Sequence, residues 1–335
     1  MNNLSGTYCF SHRSFSTTKL PLRKSICSRK SYPYLRQLIF FILLTADISA
    51  VVCKIANFAR KIIHKKFMEQ QWALVTGASR GLGYAMADCL ASKSYNIAMI
   101  ARGEEELLDA QEKLSRKYPE IRFIAKSMDL SGADAAEKAY AWVKEQGIRI
   151  SFLVNNAGIY VYQPLTTTPA ALQNEIINLD ITALTSLCRL FGADMIEDVE
   201  ASRKKFGSKR KAQKCYILNV ASYSVYMPIA ELGLYAGCKA YVKTFSRCLQ
   251  REFRSKGVYV TAVAPAGIDT TLMGLRPSIQ KLAVRLGFLA SPRSVARKSI
   301  RATLCRRPYH IPGWYNALFI PFLSLAQPIF SKVLK

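Results

Sequence analysis

Short apolar runs recur along the chain and alternate with longer stretches of helical periodicity. Mostly apolar runs of this length are typical of strands that are buried on both faces of a parallel sheet. They occur at residues 72–76, 96–100, 121–125, 150–154, 215–221 and 258–264. The alternation predicts an α/β fold, in which helices cover both faces of a doubly wound parallel sheet.

The same pattern predicts one folded domain with an extension at each end. Residues 68–312 carry the predicted strands, and we find no internal repeat or low-complexity tract between residues 68 and 335. A basic, partly apolar extension occupies residues 1–67, and an apolar and basic tail occupies residues 313–335.

The N-terminal extension is strongly basic and contains one apolar run. Residues 1–67 hold 12 Lys and Arg residues against a single acid, Asp47. The apolar run Leu38–Val52 is shorter than the roughly 20 residues that a membrane span needs. It fits a signal sequence, an interfacial anchor or a marginal transmembrane helix, and the Ser- and Arg-rich residues 1–36 fit a transit peptide. An upstream extension that is absent from the native product remains a further alternative.

The C-terminal part adds to a formal net charge of +26. Residues 270–335 contain eleven basic residues and no acid. Such a segment favours an anionic membrane surface or an anionic substrate such as a coenzyme A thioester. We expect no nucleic-acid partner, because no basic and aromatic binding module is recognisable.

Cysteine and histidine usage narrows the compartment and the chemistry. Nine cysteines occur without a CxxC pair, which indicates reduced thiols and a cytoplasmic protein. The basic and apolar ends add membrane association as an expectation. The three histidines are scattered, so neither a histidine triad nor a metal site is predicted.

A glycine-rich turn follows the first predicted strand. Gly77, Gly81 and Gly83 separate the strand at 72–76 from an Ala-rich helical stretch, Tyr84–Ser92. In a strand–turn–helix unit, such glycines permit a tight turn, a close approach of the backbone to a pyrophosphate and close packing of the helix. The spacing Gly-x-x-x-Gly-x-Gly differs from the common dinucleotide fingerprint.

Ser222, Tyr235 and Lys239 have the chemistry needed to protonate a carbonyl oxygen. Residues four apart on a helix share a face, so a helix over Gly233–Phe253 would project Tyr235 and Lys239 into one site. A phenol gives up its proton reluctantly at neutral pH, and a nearby ammonium stabilises the phenolate. Ser222 ends an apolar strand, from which its hydroxyl can hydrogen-bond the same oxygen.

Taken together, these motifs resemble the short-chain dehydrogenase/reductase superfamily, which has a Rossmann fold. The run Asn155-Asn-Ala-Gly158 follows the fourth strand as the family motif does, and Asn178 matches the asparagine of its catalytic tetrad. The resemblance implies that Asn178 holds a proton-relay water by its backbone, Ser222 orients the carbonyl and Tyr235 is the acid or base. It also implies that Lys239 binds the nicotinamide ribose and tunes Tyr235, and that a seventh strand lies at Tyr309–Gly313.

The resemblance further implies a set of cofactor-binding residues. They are Gly77, Ser79, Arg80, Gly81, Leu82, Gly83, Arg102, Asp129, Asn155, Ala157, Gly158, Tyr235, Lys239, Pro265, Ile268 and Thr270. Two features depart from the family. Alanine stands at position 266 where the family has glycine, and the basic stretch Arg203–Lys211, which we expect to be a solvated loop, lengthens one connection.

Charge at the end of the second strand favours NADP(H) over NAD(H). Enzymes that use NAD usually place an acid there, whereas arginine accommodates the 2′-phosphate of NADP. Here the strand ends in Ala101-Arg102, and Arg80 lies in the glycine turn as a second cation.

The predicted function is therefore NADPH-dependent reduction of a ketone to a secondary alcohol, with a lipid-like carbonyl substrate. The run Ile-Pro-Gly-Trp-x-Asn from Ile311 resembles the branch that reduces very-long-chain 3-oxoacyl thioesters, 3-ketosphinganine and 17-ketosteroids. The resemblance places a substrate lid at residues 271–287 and implies a homo-dimer or homo-tetramer. The alternative is a non-catalytic NADP-binding scaffold or redox sensor at a membrane.

Overall fold

The computed structural model describes residues 71–207, 212–226, 229–268 and 289–313 of the chain. Their centre is a seven-stranded sheet in which every neighbouring pair is parallel. The strands are β1 (Trp72–Thr76), β2 (Asn96–Ala101), β3 (Phe123–Ser127), β4 (Ile150–Asn155), β5 (Cys215–Val220), β6 (Val258–Val263) and β7 (Tyr309–His310). The order β3-β2-β1-β4-β5-β6-β7 confirms the predicted doubly wound sheet.

Helices cover both faces of this sheet. They are α1 (Gly81–Ala91), α2 (Glu104–Lys117), α3 (Ala135–Glu145), α4 (Ala170–Ile177), α5 (Leu184–Phe206), α6 (Gly233–Phe253) and α7 (Pro292–Leu304). A π-helical turn, Asn178–Ala183, joins α4 to α5. Short 3-10 turns lie at Leu165–Thr167, Tyr223–Tyr226 and Arg254–Lys256.

Two apolar cores hold the three layers together. Buried side chains of α1, α2 and α7 pack on one face of the sheet, and those of α3, α5 and α6 pack on the other. The central strands β1, β2 and β4 are buried along their whole length, because helices cover both of their faces.

Some boundaries differ from the sequence prediction. Strand β3 begins at Phe123 rather than at residue 121, because the amide of Ile121 donates to the carbonyl of Tyr118 and closes a turn there. The basic stretch is not wholly a loop, since Arg203–Phe206 forms the last turn of α5. The Arg203 guanidinium donates to the Ser255 carbonyl at 3.1 Å.

Several expectations concern residues outside the described ranges. These are the extension 1–67, the apolar run 38–52, Thr270, the lid 271–287 and the tail beyond residue 313. Within the described ranges, one helical stretch, Ala170–Phe206, is long and apolar enough to span a membrane. Half of its most apolar window is buried in the fold, as expected of a core helix.

The carboxyl ends of β1, β2, β4 and β5 meet at one edge of the sheet. Strand order reverses there, with β1 between β2 on one side and β4 on the other. Open parallel sheets bind ligands in the crevice at such a reversal point.

Candidate active site

A cavity of about 950 Å³ lies at this edge of the sheet. The predicted site residues that line it are Gly77, Ser79, Arg80, Gly81, Leu82, Arg102, Asp129, Ala157, Gly158, Ser222, Tyr235, Lys239, Pro265 and Ile268. Asn155 and Asn178 are absent from the described lining, and Gly83 lies beneath the glycine turn. The fold therefore brings the glycine turn and the Tyr235–Lys239 pair to the walls of one cavity.

The glycine turn lies directly against the start of α1. A Cβ atom on Gly83 would overlap the carbonyl oxygen of Gly77, so the first turn of α1 can pack there only without a side chain. The free backbone amides at the start of α1 lie beside this turn, where a helix N-terminus favours an anion.

Asn156, which the sequence prediction passed over, fixes the turn to the neighbouring strand. Its Nδ2 donates to the carbonyls of Thr76 at 3.0 Å and Gly77 at 3.2 Å. The Thr76 hydroxyl in turn accepts from the amides of Asn156 and Ala157, both at 3.0 Å. These bonds hold the ends of β1 and β4 together at the cavity wall.

Asn155 is buried in the core and does not line the described cavity. Its Nδ2 donates to Asn219 Oδ1 at 2.8 Å and to Cys188 Sγ at 3.3 Å. Successive residues of a strand point to opposite faces, so the end of β4 sends these adjacent asparagines to different surroundings. Asn155 therefore links β4 to β5 and α5 within the core next to the site.

Tyr235 is set into the cavity wall by α6 and by the segment after β4. Its side chain is largely buried, and the Tyr160 ring packs edge-on against it with centroids 5.1 Å apart. Ser222 follows β5 and lines the same cavity, and its hydroxyl accepts from the Ser224 amide at 3.1 Å. Ser222 and Tyr235 thus reach one cavity from two different elements.

Lys239 lies one turn after Tyr235 and is almost fully buried. Its Nζ is 5.7 Å from the centroid of the Tyr235 ring and donates to the Val220 carbonyl at 3.3 Å. It also forms an ion pair with Asp180, with Nζ 3.1 Å from Oδ2. This carboxylate was not among the predicted site residues.

Asp180, which the sequence analysis did not include, supplies a polar side chain at Lys239. Both residues lie on the π-helical turn, but Asn178 is half-buried while Asp180 is almost fully buried. A motif match along the sequence does not show which of two nearby polar residues faces inward, because a π-helical turn changes the helical phase. The signal that could have identified Asp180 was an acid in an otherwise apolar stretch.

The ion pair changes the protonation chemistry of both partners. Burial alone lowers the pKa of the Lys239 ammonium, but the Asp180 carboxylate and the neighbouring Tyr235 outweigh it and leave that pKa raised. Burial raises the pKa of Asp180, and the Lys239 ammonium opposes this shift. Lys239 is therefore held as a cation behind Tyr235.

Two exposed arginines stand at the far end of the cavity. Arg80 Nη1 lies 3.3 Å from Glu106 Oε1, and Arg102 Nη1 lies 2.7 Å from Glu175 Oε1. Arg80, Arg102 and Glu106 all line the cavity. Exposed pairs of this kind are worth about 0–1 kcal/mol, so the arginines remain able to exchange partners.

The residues present fit a dinucleotide. Because Gly83 and Gly77 meet without side chains, the backbone amides at the start of α1 lie beside the cavity. The guanidinium groups of Arg80 and Arg102 line the same cavity. Asp129, whose Oδ1 accepts from the Ser131 amide at 3.0 Å and hydroxyl at 2.9 Å, lines the wall after β3. Sheet order and cradle together define the class of dinucleotide-binding α/β proteins.

Comparison with known proteins places the chain within that class. Residues 71–279 match the family model described as short chain dehydrogenase, and the chain belongs to this family of oxidoreductases. A solved metagenomic short-chain oxidoreductase in complex with NADP is similar, with a TM-score of 0.56 and 25% identity. The match covers 73% of this chain and 98% of that one.

Several curated relatives are named very-long-chain 3-oxoacyl-CoA reductases, and one from Gallus gallus is named hydroxysteroid dehydrogenase-like protein 1. The very-long-chain 3-oxoacyl-CoA reductase of Rattus norvegicus is 32% identical over 217 residues, covering 63% of this chain and 64% of the relative. The very-long-chain 3-oxoacyl-CoA reductase-A of Danio rerio is 31% identical over 257 residues, covering 75% and 74%. The chain thus spans less than two thirds of the length of the rat relative.

Proposed function

We propose that this chain reduces the ketone of a lipid-like substrate to a secondary alcohol with NADPH. The observation that carries the proposal is the buried Lys239 ammonium behind Tyr235, on the wall of the cavity that also holds the glycine turn. A proton donor and a nucleotide cradle in one cavity are what such a reduction requires.

Each side chain has a defined task in this reaction. Bound NADPH supplies a hydride to the carbonyl carbon. Tyr235 donates its phenolic proton to the carbonyl oxygen, and Lys239 stabilises the phenolate that remains. The Ser222 hydroxyl orients the same oxygen by a hydrogen bond. The buried side chains around Tyr235 limit the entry of water and so strengthen these interactions.

The nucleotide choice rests on charge near the end of β2. The strand ends at Ala101 and is followed by Arg102, and Arg80 of the glycine turn lines the same cavity. Their guanidinium groups suit the dianionic 2′-phosphate of NADPH, which NADH lacks. The similar metagenomic oxidoreductase was solved with NADP, which agrees with this choice.

The substrate class rests on the apolar part of the cavity. Ile159, Tyr160, Leu179, Ile229 and Leu232 line it on the Tyr235 side. Beyond them, the segment after β4 exposes Tyr162 and Leu165, at 47% and 62% of their surfaces. An apolar lining of this kind suits an alkyl chain. The two relatives described above are named very-long-chain 3-oxoacyl-CoA reductases, and we propose a related substrate here.

An anionic membrane surface is the proposed partner at α7. The exposed basic residues on and just after this helix are Arg293, Arg297, Lys298, Arg301, Arg306 and Arg307. No acid occurs in residues 289–313. Juxtamembrane cations contribute about 1 kcal/mol each near an anionic bilayer. The following sequence, from Trp314, is apolar and aromatic, which suits the lipid–water interface.

We also propose a cytoplasmic homo-dimer or homo-tetramer. The six described cysteines are all free thiols, as in a reducing compartment. On the outer surface of α6, the half-exposed Tyr241 ring stacks on Phe245 at 5.4 Å between centroids, an aromatic patch suited to contact with a second copy. Light scattering of the purified protein measures this state.

A substrate panel tests the proposed reaction. We expect NADPH oxidation to be fastest with long-chain 3-oxoacyl thioesters, 3-ketosphinganine or ketosteroids, and slow with short ketones. NADH should be the poorer donor with every substrate. A preference for NADH would contradict the nucleotide assignment, and a preference for short ketones would contradict the lipid assignment. NADPH binding without turnover of any ketone would favour the alternative, a non-catalytic scaffold.

A further inference from the structure

Asp180 is a fully buried acid whose carboxylate faces the fully buried ammonium of Lys239. Its side chain is 0% exposed, that of Lys239 is 5% exposed, and Oδ2 lies 3.1 Å from Nζ. The pair fits tightly beneath Gly158, where a Cβ atom would lie 2.8 Å from Asp180 Oδ1 and 2.9 Å from Lys239 Nζ. Removing either charge therefore leaves its partner buried without a counter-ion.

Burial makes this counter-ion necessary. A lysine that is buried without an opposite charge tends to lose its proton, because an apolar surrounding disfavours the charged form. Burial lowers the pKa of Lys239, and the charge and hydrogen bond of Asp180, together with Tyr235, outweigh it and leave that pKa raised. The Val220 carbonyl, at 3.3 Å, orients the ammonium but carries no net charge.

We propose that Asp180 is a positioning residue that keeps Lys239 protonated and fixed behind Tyr235. It touches neither substrate nor nucleotide, since it is absent from the cavity lining within the described residues. It acts through Lys239, whose positive charge is needed when Tyr235 gives up its proton. This role rests on the proposed function only in that last step.

Two other titratable groups face the cluster. Tyr160, from the segment after β4, packs on Tyr235 at 5.1 Å, and burial raises its pKa. Cys238, next to Lys239 on α6, has a pKa raised to about 11, mainly by burial and secondarily by Asp180. Both groups stay neutral near neutral pH, so the charge balance there depends on the pair itself.

Unfolding of the ligand-free protein tests the proposal without any turnover. In Asp180→Asn, the folded state holds Lys239 unpaired, so its pKa falls below that of the unfolded chain. The loss of unfolding free energy relative to wild type is then greatest at about pH 7. It shrinks towards about pH 9.5, because the folded variant releases the Lys239 proton while the unfolded chain keeps it. The measurement is the urea midpoint of wild type and variant at both pH values.

Matched variants separate this charge effect from a general loss of packing. Asp194→Asn removes a carboxylate that pairs with the partly exposed Lys144 and Arg149, so its deficit should not change over this pH range. Asp180→Asn/Lys239→Met removes both buried charges and should be more stable than Asp180→Asn alone. This comparison remains informative if the single variant folds poorly.

Turnover supplies the second readout. In Asp180→Asn, the basic limb of the pH profile of kcat/KM for ketone reduction should move down by about one pH unit or more. Asp180→Glu keeps the carboxylate and should restore the limb in part. A pH-independent deficit, an unchanged limb, or a double variant less stable than the single one would overturn the role of Asp180. Failure of turnover with intact unfolding behaviour would instead count against the proposed function alone.

Discussion

At the scale of one residue, Lys239 places a buried charge beside the Tyr235 phenol. The same burial that disfavours the ammonium also keeps water from weakening its effect on Tyr235. The sequence could indicate the pair, because its four-residue spacing places both side chains on one helix face. It could indicate an acid in an apolar stretch but not that Asp180 faces Lys239, because the π-helical turn changes the helical phase and its contact with α6 forms only in the folded chain.

His310 offers a residue-scale prediction of pH dependence. Burial lowers its pKa, and the positive charges of Arg307 and Lys298 lower it further. The unfolded chain therefore binds a proton more readily than the folded chain, so the stability from a neutral His310 is lost as pH falls below about 6.5. The slope attributable to one such group is at most about 1.4 kcal/mol per pH unit.

The variant His310→Gln isolates that contribution. We expect the decline in the urea midpoint between about pH 7.5 and pH 5 to be shallower than in wild type. The His310 carbonyl accepts a hydrogen bond from the Ala264 amide at 3.0 Å. Because this bond involves only the main chain, the substitution leaves the sheet edge intact. An equal decline in both proteins would show that His310 does not titrate as its surroundings imply.

At the scale of elements, the cation at the end of β2 is tied to a helix on the other side of β1. Arg102 pairs with Glu175 of α4, and the pair must open if Arg102 is to bind a 2′-phosphate. We expect Glu175→Gln to lower the Kd for NADPH by up to about fivefold, the equivalent of a pair worth about 1 kcal/mol. The Kd for NADH should not change.

Fluorescence titration of the nucleotide measures both constants. Glu137→Gln is a suitable control, because Glu137 pairs with Arg189 on the surface and does not line the cavity. A looser NADPH complex in Glu175→Gln, or an equal change for NADH, would mean that Arg102 does not serve the phosphate.

Elements were more predictable than the contacts between them. All six predicted apolar runs form strands, because each run has the length of a typical strand and carries few charges. The predicted start of β3 was two residues too early, because a local turn occupies Tyr118–Ile121. Apolar periodicity cannot reveal such a turn. That Asn156 lines the cavity while Asn155 does not likewise depends on the direction of each side chain at the end of β4, and not on composition.

At the scale of the whole molecule, the basic face at α7 predicts binding to anionic vesicles. Reversing Arg297→Glu and Arg301→Glu together should strongly reduce flotation with phosphatidylserine liposomes, because each change removes one cation and adds one anion. Turnover of a short soluble ketone should stay the same, since these residues do not line the cavity.

A double variant on the opposite face of the sheet serves as the control. Lys138→Glu with Arg189→Glu changes the net charge by the same amount on α3 and α5, which cover the opposite face of the sheet. Equal loss of flotation in both double variants would indicate a response to net charge alone. Binding that persists after α7 is reversed would contradict a docking role for this helix.

The central claim is that Tyr235 protonates a carbonyl while NADPH supplies the hydride. The most direct test incubates the protein and a long-chain 3-oxoacyl thioester with NADPH that carries two deuterium atoms at nicotinamide C4. Mass spectrometry then measures the deuterium content of the product. We expect a secondary alcohol with one deuterium on the carbinol carbon, and at most a trace from Tyr235→Phe, which should still bind NADPH. Absence of deuterated alcohol from wild type with every ketone of the panel, or undiminished product from Tyr235→Phe, would contradict the account.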